Sequence, residues 1–151
     1  MSATRFACLA IAFIFLFTSC GKDNDPANEV FGSGKFTVNG VTYSGVCVAV
    51  KTQTSGNNGM DVSIVSDDYT GTCIITNMSA ASSGTSSFSG STLNTAGKTP
   101  AIIQAGNLPM LESATGGNIT KTSAKSFTFS GSFRSSSGSS TYNVTGSGTW
   151  K

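Results

Sequence analysis

Beyond residue 30 the side chains able to do chemistry are few: the carboxylates Asp61, Asp67, Asp68 and Glu112, the thiols Cys47 and Cys73, and the rings Tyr69 and Trp150. The chain has no histidine, which excludes Ser-His-Asp and Cys-His nucleophile arrangements. No glycine-containing stretch completes a P-loop or a dinucleotide fingerprint. Asp67 and Asp68 are adjacent, and neighbouring strand residues point to opposite faces, so the two converge only inside a turn. A glycosidase needs two carboxylates about 5 to 9.5 Å apart across a cleft, and Asp68 with Glu112 is the pair that folding could bring to that spacing. Against that reading, "DDYTG" spells a turn in which aspartates bond their own backbone. Too few charged oxygens are present for a calcium site, and zinc would want four cysteine or histidine ligands. The expectation is no catalytic residue, no metal and no cofactor.

The rings offer binding instead of reaction. Tyr69 falls in a turn and Trp150 at the end of the chain, each a candidate platform for a glycan or a protein partner, although a partly buried anchor is the expected role for both, since rings contribute heavily to cores. Net charge is +2, one unit of it from Arg5, and there is no basic block, so nucleic acid is not an expected partner. Charged residues make up 11% of the chain, where typical soluble domains carry about 25%. Serine, threonine, asparagine and glycine fill the polar positions, as suits a strand protein whose hydroxyls pair across a sheet.

The elements that would position these residues read as strands. "KFTVNGVTYSGVCVAV" is a hairpin about Asn39-Gly40, whose positive backbone angles a two-residue turn requires. Counting outward, Val38 faces Val41 and Phe36 faces Tyr43, with Thr37 and Thr42 on the other face and Cys47 on the face of Tyr43. Met60 to Ser66 alternates, "DDYTG" turns, and "TCIITN" returns with Cys73 and Ile75 on one face and Ile74 on the other. A weak strand is expected near Thr85 to Gly90, and a short one in "TPAIIQA" behind Pro100. "GNLPMLESATGGN" reads as loop with one helical turn. In the last hairpin, "SFTFSGSFR" and "TYNVTGSGTW" set Arg134 opposite Thr141, which lays Phe129 over Gly146 and Phe127 over Gly148. The fold class is therefore all-β: a single antiparallel β-sandwich or partly closed barrel of roughly eight strands.

Residues 1–19 stand apart. A charged start precedes an unbroken apolar run from Phe6 to Phe17, too short for a membrane helix of about 20 residues, and small residues follow it. That is the anatomy of a cleaved signal peptide. "FTSC" resembles the lipobox of bacterial lipoproteins, with Phe17 where leucine is usual, and the resemblance makes Cys20 the lipidated first residue of the mature chain. "GKDND" resembles the tether of surface-exported lipoproteins of Bacteroidota. Residues 20–30 would then be lipidated cysteine and tether, and residues 31–151 the β domain. Two remaining thiols in an exported protein are expected to pair, so Cys47 and Cys73 read as a disulfide, with two buried free thiols as the alternative.

The strand and turn pattern, from the "NG" hairpin to "GGNITKTSAKSFTFSGSF", is similar to a group of small Bacteroidota lipoproteins of unknown function. That resemblance implies an antiparallel β domain on an anchor and no reaction. The functional expectation is a lipid-anchored module of the bacterial outer membrane, surface-exposed or facing the periplasm. It would bind a glycan or envelope protein, or give structural support, without catalysis. A lipocalin-like small-ligand carrier and an inhibitor of a lysozyme-type hydrolase are the alternatives.

Overall fold

The computed structural model describes residues 31–54, 57–90, 98–135 and 138–151. The expected signal peptide, lipidated Cys20 and tether lie outside them. The described chain is all-β, ten strands in one sheet that curls into a nearly closed barrel. They are β1 (Phe31–Val38), β2 (Val41–Thr54), β3 (Asn57–Ser66), β4 (Gly71–Ser79), β5 (Gly84–Phe88), β6 (Lys98–Thr99), β7 (Ala101–Ala105), β8 (Ser113–Ser123), β9 (Ser126–Arg134) and β10 (Thr141–Thr149). Their order is β6-β5-β8-β9-β10-β1-β2-β3-β4-β7.

The two hairpins with the strongest local signals form in the expected register. Val38 pairs with Val41 and Phe36 with Tyr43, around Asn39 at φ 50° and Gly40 at φ 79°. On the outer face the Thr37 and Thr42 hydroxyls share a 2.8 Å hydrogen bond. In the last hairpin Arg134 pairs with Thr141, Phe129 with Gly146 and Phe127 with Gly148. The glycines are required there: a Cβ on Gly146 would lie 2.3 Å from the Phe129 ring, and one on Gly148 2.6 Å from the Phe127 ring. The first and last hairpins then join, β1 to β10, with Val38 beside Val144.

"GNLPMLESATGGN" departs from the expected loop. Only its first part is loop, with no helical turn among the described residues, and β8 already runs from Ser113. Glycines at 116 and 117 hide the strand. A bulge lies between Ala114 and Gly116, and Gly117 sits at φ 117° so close to Gly131 that a Cβ would come within 2.3 Å of its Cα.

One segment closes the barrel from both sides. β6 runs parallel to β5, with Phe88 beside Thr99, while β7 runs antiparallel to β4, with Ala101 beside Ile75. Pro100 stands at the changeover, where a missing N–H costs no ladder bond, and its carbonyl accepts the Thr76 N–H at 3.0 Å. Thr99 is fully buried at this seam, and its Oγ1 has no hydrogen-bond partner. An orphaned buried hydroxyl costs about 1–3 kcal/mol, so Thr99→Val is expected to raise the stability by about 1 kcal/mol. An unchanged or lower urea midpoint for that variant would show that the hydroxyl is satisfied.

The interior is filled by Phe36, Phe127, Phe133, Ile64, Ile75, Ile103, Leu111 and Met78, all fully or almost fully buried. Phe88 meets Phe133 edge-on at 5.1 Å and Phe127 stacks on Phe129 at 6.1 Å. Strand alternation gives the barrel two ends. The Asn39-Gly40 turn, the β3–β4 turn, the segment 106–112 and the β9–β10 connection make one, here called the rim. The entry of the chain at Phe31, the β2–β3 connection, the β8–β9 turn and the exit at Trp150 and Lys151 make the other, the base.

Candidate functional site

The rim carries Tyr69, a ring that the fold leaves outside against the expectation of a partly buried anchor. Ser66 and Asp67 lead out of β3, the Tyr69 N–H donates to the Ser66 carbonyl at 2.9 Å, and Tyr69 takes φ 57° with 80% of its surface exposed. A tyrosine in the left-handed region is uncommon, because its Cβ crowds the following carbonyl. Asp68 holds the turn in this shape. Its Oδ1 accepts the Ser66 hydroxyl at 2.6 Å and the Thr70 N–H at 3.1 Å, and its Oδ2 accepts the Thr70 hydroxyl at 2.8 Å. The Ser66 hydroxyl, and then the two Thr70 bonds, hold the Asp68 carboxyl below its usual range. The Ser66 oxygen also receives the Gly71 N–H at 2.8 Å. The aspartate is committed to the turn.

The neighbouring segments are tied to this one. Asp67 N–H donates to the Ser44 carbonyl of β2 at 3.0 Å, and Gly106 N–H to the Thr70 carbonyl at 2.8 Å. Gln104 then fixes the following loop by donating from Nε2 to the carbonyls of Gly106, at 3.1 Å, and Leu108, at 2.8 Å. Beneath Tyr69, the half-buried Tyr43 ring lies on Gly71, where a Cβ would come within 2.4 Å of it. These linked segments also expose Val41 and Met110. The rim thus exposes Tyr69, Val41 and Met110 on segments tied together by backbone hydrogen bonds, and Asp67, Asp68 and Glu112 lie on the same segments. Val41 and Met110 were not legible as surface residues, since an apolar residue beside a turn normally packs inward; Pro109, which precedes Met110, is the one local hint of a turned-out loop.

Two of the acids are engaged in holding backbone. Asp61, out on β3, accepts the Asn77 N–H at 2.8 Å and so holds the bulge where two residues of β4 oppose one of β3, with Asn77 at φ 56°. Glu112 precedes β8, its N–H on the Arg134 carbonyl at 3.1 Å. Asp61, the Asp67-Asp68 turn and Glu112 thus sit on separate elements. Among the described residues no cluster of three or more metal-ligating side chains occurs.

Trp150 is not an exposed platform. It is 6% exposed, its N–H donates to the Lys125 carbonyl at 3.0 Å, its ring lies 6.0 Å from Phe127, and the Lys121 Nζ stands 4.6 Å from the ring centroid. Lys121 is itself buried, donates to the Ala124 carbonyl at 3.0 Å, and has its pKa lowered by burial. Trp150 is the anchor that closes the base.

The disulfide expectation is also corrected. Cys47 and Cys73 are free and buried. Both face inward, but Cys47 pairs with Ile64 and Ile64 with Cys73, so a whole strand separates them. Two strand spacings of about 4.8 Å put their α-carbons about 9–10 Å apart, beyond the limit of about 7 Å for a bridge. Burial pushes the Cys47 thiol up to about 12, and burial followed by the nearby Cys47 pushes Cys73 higher still. Both are expected to resist alkylation in the folded protein with or without reductant, and to react at once in denaturant without reductant. Two thiols that appear only after reduction would restore the bridge.

No protein family, curated protein or solved structure matches this chain.

Proposed function

We propose that the chain is a lipid-anchored envelope module without catalytic activity of its own, which binds a glycan or another envelope protein through the rim around Tyr69. The observation that carries this is Tyr69 itself: a large ring, 80% exposed and set in a left-handed backbone by a hydrogen-bonded turn. Strain of this kind persists where surrounding structure enforces it, and it concentrates at binding surfaces. The position also fits. The described chain enters at Phe31, at the base, so a tether attached there would leave the rim facing away from the membrane.

Of the two alternatives, the rigid, hydrogen-bonded turn fits an inhibitor of a lysozyme-type hydrolase, which needs a stiff protruding loop. A lipocalin-like carrier needs an empty interior, and here side chains fill it. The anchor is tested by Cys20→Ala, which is expected to move the protein from the membrane to the soluble fraction with the β domain folded. Lipid labelling that persists in the variant would remove the lipobox reading. Binding is tested on a glycan array and in a lysozyme-inhibition assay, comparing wild type with Asp67→Asn/Asp68→Asn. Glycan cleavage lost in that variant, with the fold intact, would overturn the non-catalytic reading.

A further inference from the structure

Charge on the barrel is divided between its ends. The rim holds Asp67, Asp68 and Glu112 with one cation, Arg134, while the base half holds Lys51, Lys125 and Lys151, all exposed, together with the buried Lys121; the exposed Lys35 and Lys98 lie along the strands between. Among the described residues the only acid in that half is Asp61, whose carboxylate is engaged by the Asn77 N–H. Exposed apolar surface lies beside the chain's entry at Phe31. Phe31 is 57% and Val46 43% exposed, and they border a shallow groove of about 570 Å³ whose other walls are Gly32, Ser33, Thr149, Trp150 and Lys151. The groove exists because β1 continues along β2 as far as Phe31 beside Val48, while its pairing with β10 ends at Gly34 and Gly148. It lies where the described chain begins, at Phe31.

From this arrangement we infer that the base is a membrane-contact surface that rests on anionic phospholipid headgroups, with Lys51, Lys125 and Lys151 on the phosphates and Phe31 inserted among the acyl-chain ends. Lysines around an exposed aromatic ring match the interface between water and hydrocarbon. The ammonium groups stay at the level of the phosphates while the ring leaves water. The acidic rim is repelled from the same surface, so the charge division orients the barrel as well as holding it. In the lipidated protein the contact would convert a loose tether into a docked stance with Tyr69 outward. The surface acts without the lipid, although its orienting role rests on the anchor proposed above. The segment before Phe31 carries Asp23, Asp25 and Glu29 against Lys22, and these acids work against the contact.

The test uses the mature chain with Cys20→Ser, which cannot be lipidated, and sedimentation with vesicles of phosphatidylcholine alone or mixed with phosphatidylglycerol. The chain should sediment with the mixed vesicles and not with the neutral ones, and salt should release it. Each lysine near an anionic surface strengthens binding about fivefold, so Lys51→Glu/Lys125→Glu/Lys151→Glu should weaken it by about 100-fold. Phe31→Ser should weaken it about tenfold, from the loss of ring burial. Asp23→Asn/Asp25→Asn/Glu29→Gln should tighten it. The substitutions in all three variants fall on exposed positions or before the barrel, and circular dichroism verifies each fold. Equal binding to both vesicles, no binding to either, or an unaffected triple-lysine variant would overturn the proposal. Each of these outcomes leaves the Cys20 reading standing, because that reading is decided by lipid labelling of the wild type.

Discussion

Phe127→Ala should cost about 3–5 kcal/mol, the largest loss for any single side chain in this barrel. Phe127 is 1% exposed, stacks on Phe129, touches Trp150 and covers Gly148 across the strand pair, so its removal opens a cavity at the base that no neighbour is free to fill. The pairing with Gly148 gives a sharper test. Gly148→Ala alone sets a methyl 2.6 Å from the Phe127 ring and 2.8 Å from the Cys47 Sγ, an overpacking expected to cost about 1–3 kcal/mol. In Phe127→Leu/Gly148→Ala the far edge of the ring is gone and the methyl can occupy its place. The double variant should therefore be more stable than the sum of its singles by about 1 kcal/mol or more, read from urea midpoints of the four chains. Additivity within about 0.5 kcal/mol would mean that the ring does not lie on this glycine.

That pairing was readable in advance because strand alternation and a turn fix register without reference to the rest of the chain. Phe129 over Gly146 and Phe36 facing Tyr43 follow from counting outward from "SSSGSS" and "NG". β8 was only partly readable: its bulge and paired glycines look like loop until Gly131 is known to lie 2.3 Å from where a Gly117 Cβ would stand. Whether sandwich or barrel forms is decided by Lys98 to Ala105, a segment too short and too plain in sequence to announce that it pairs with two strands at once. Cys47 and Cys73 went astray for a related reason. Compartment and count favour a bond, and only the interposed Ile64 forbids it.

The site was legible to the same degree. "DDYTG" places Tyr69 in a turn, but the partly buried anchor expected of both rings holds only for Trp150, which Lys121 and Phe127 enclose, while Tyr69 is 80% exposed. Nor did the sequence order reveal the division of charge. Lys51, Lys125 and Lys151 are far apart along the chain, and strand direction alone gathers them at the base.

Tyr69 gives the prediction with the largest functional effect, and it turns on two quantities moving in opposite directions. An L-residue with a Cβ at φ 57° carries a penalty of about 1–2 kcal/mol relative to its ordinary conformations, and Tyr69 recovers little by packing because it is 80% exposed. Tyr69→Gly should therefore stabilise the domain by about 1 kcal/mol, once the greater freedom of glycine in the unfolded chain is counted against the relief. Tyr69→Ala, which keeps the Cβ and the strain, should leave the midpoint almost unchanged. Binding should respond otherwise: both substitutions remove the ring, and a central aromatic contact contributes at least about 2 kcal/mol, about 30-fold in affinity, for whichever glycan or lysozyme-type protein the array and inhibition assays reveal. Tyr69→Phe, which keeps ring and strain together, should retain most of it. A ring kept for folding would lose stability in both the glycine and the alanine variants. If Tyr69→Gly proves less stable than wild type, or binds its target as well, the rim is ordinary surface and the binding reading fails with it.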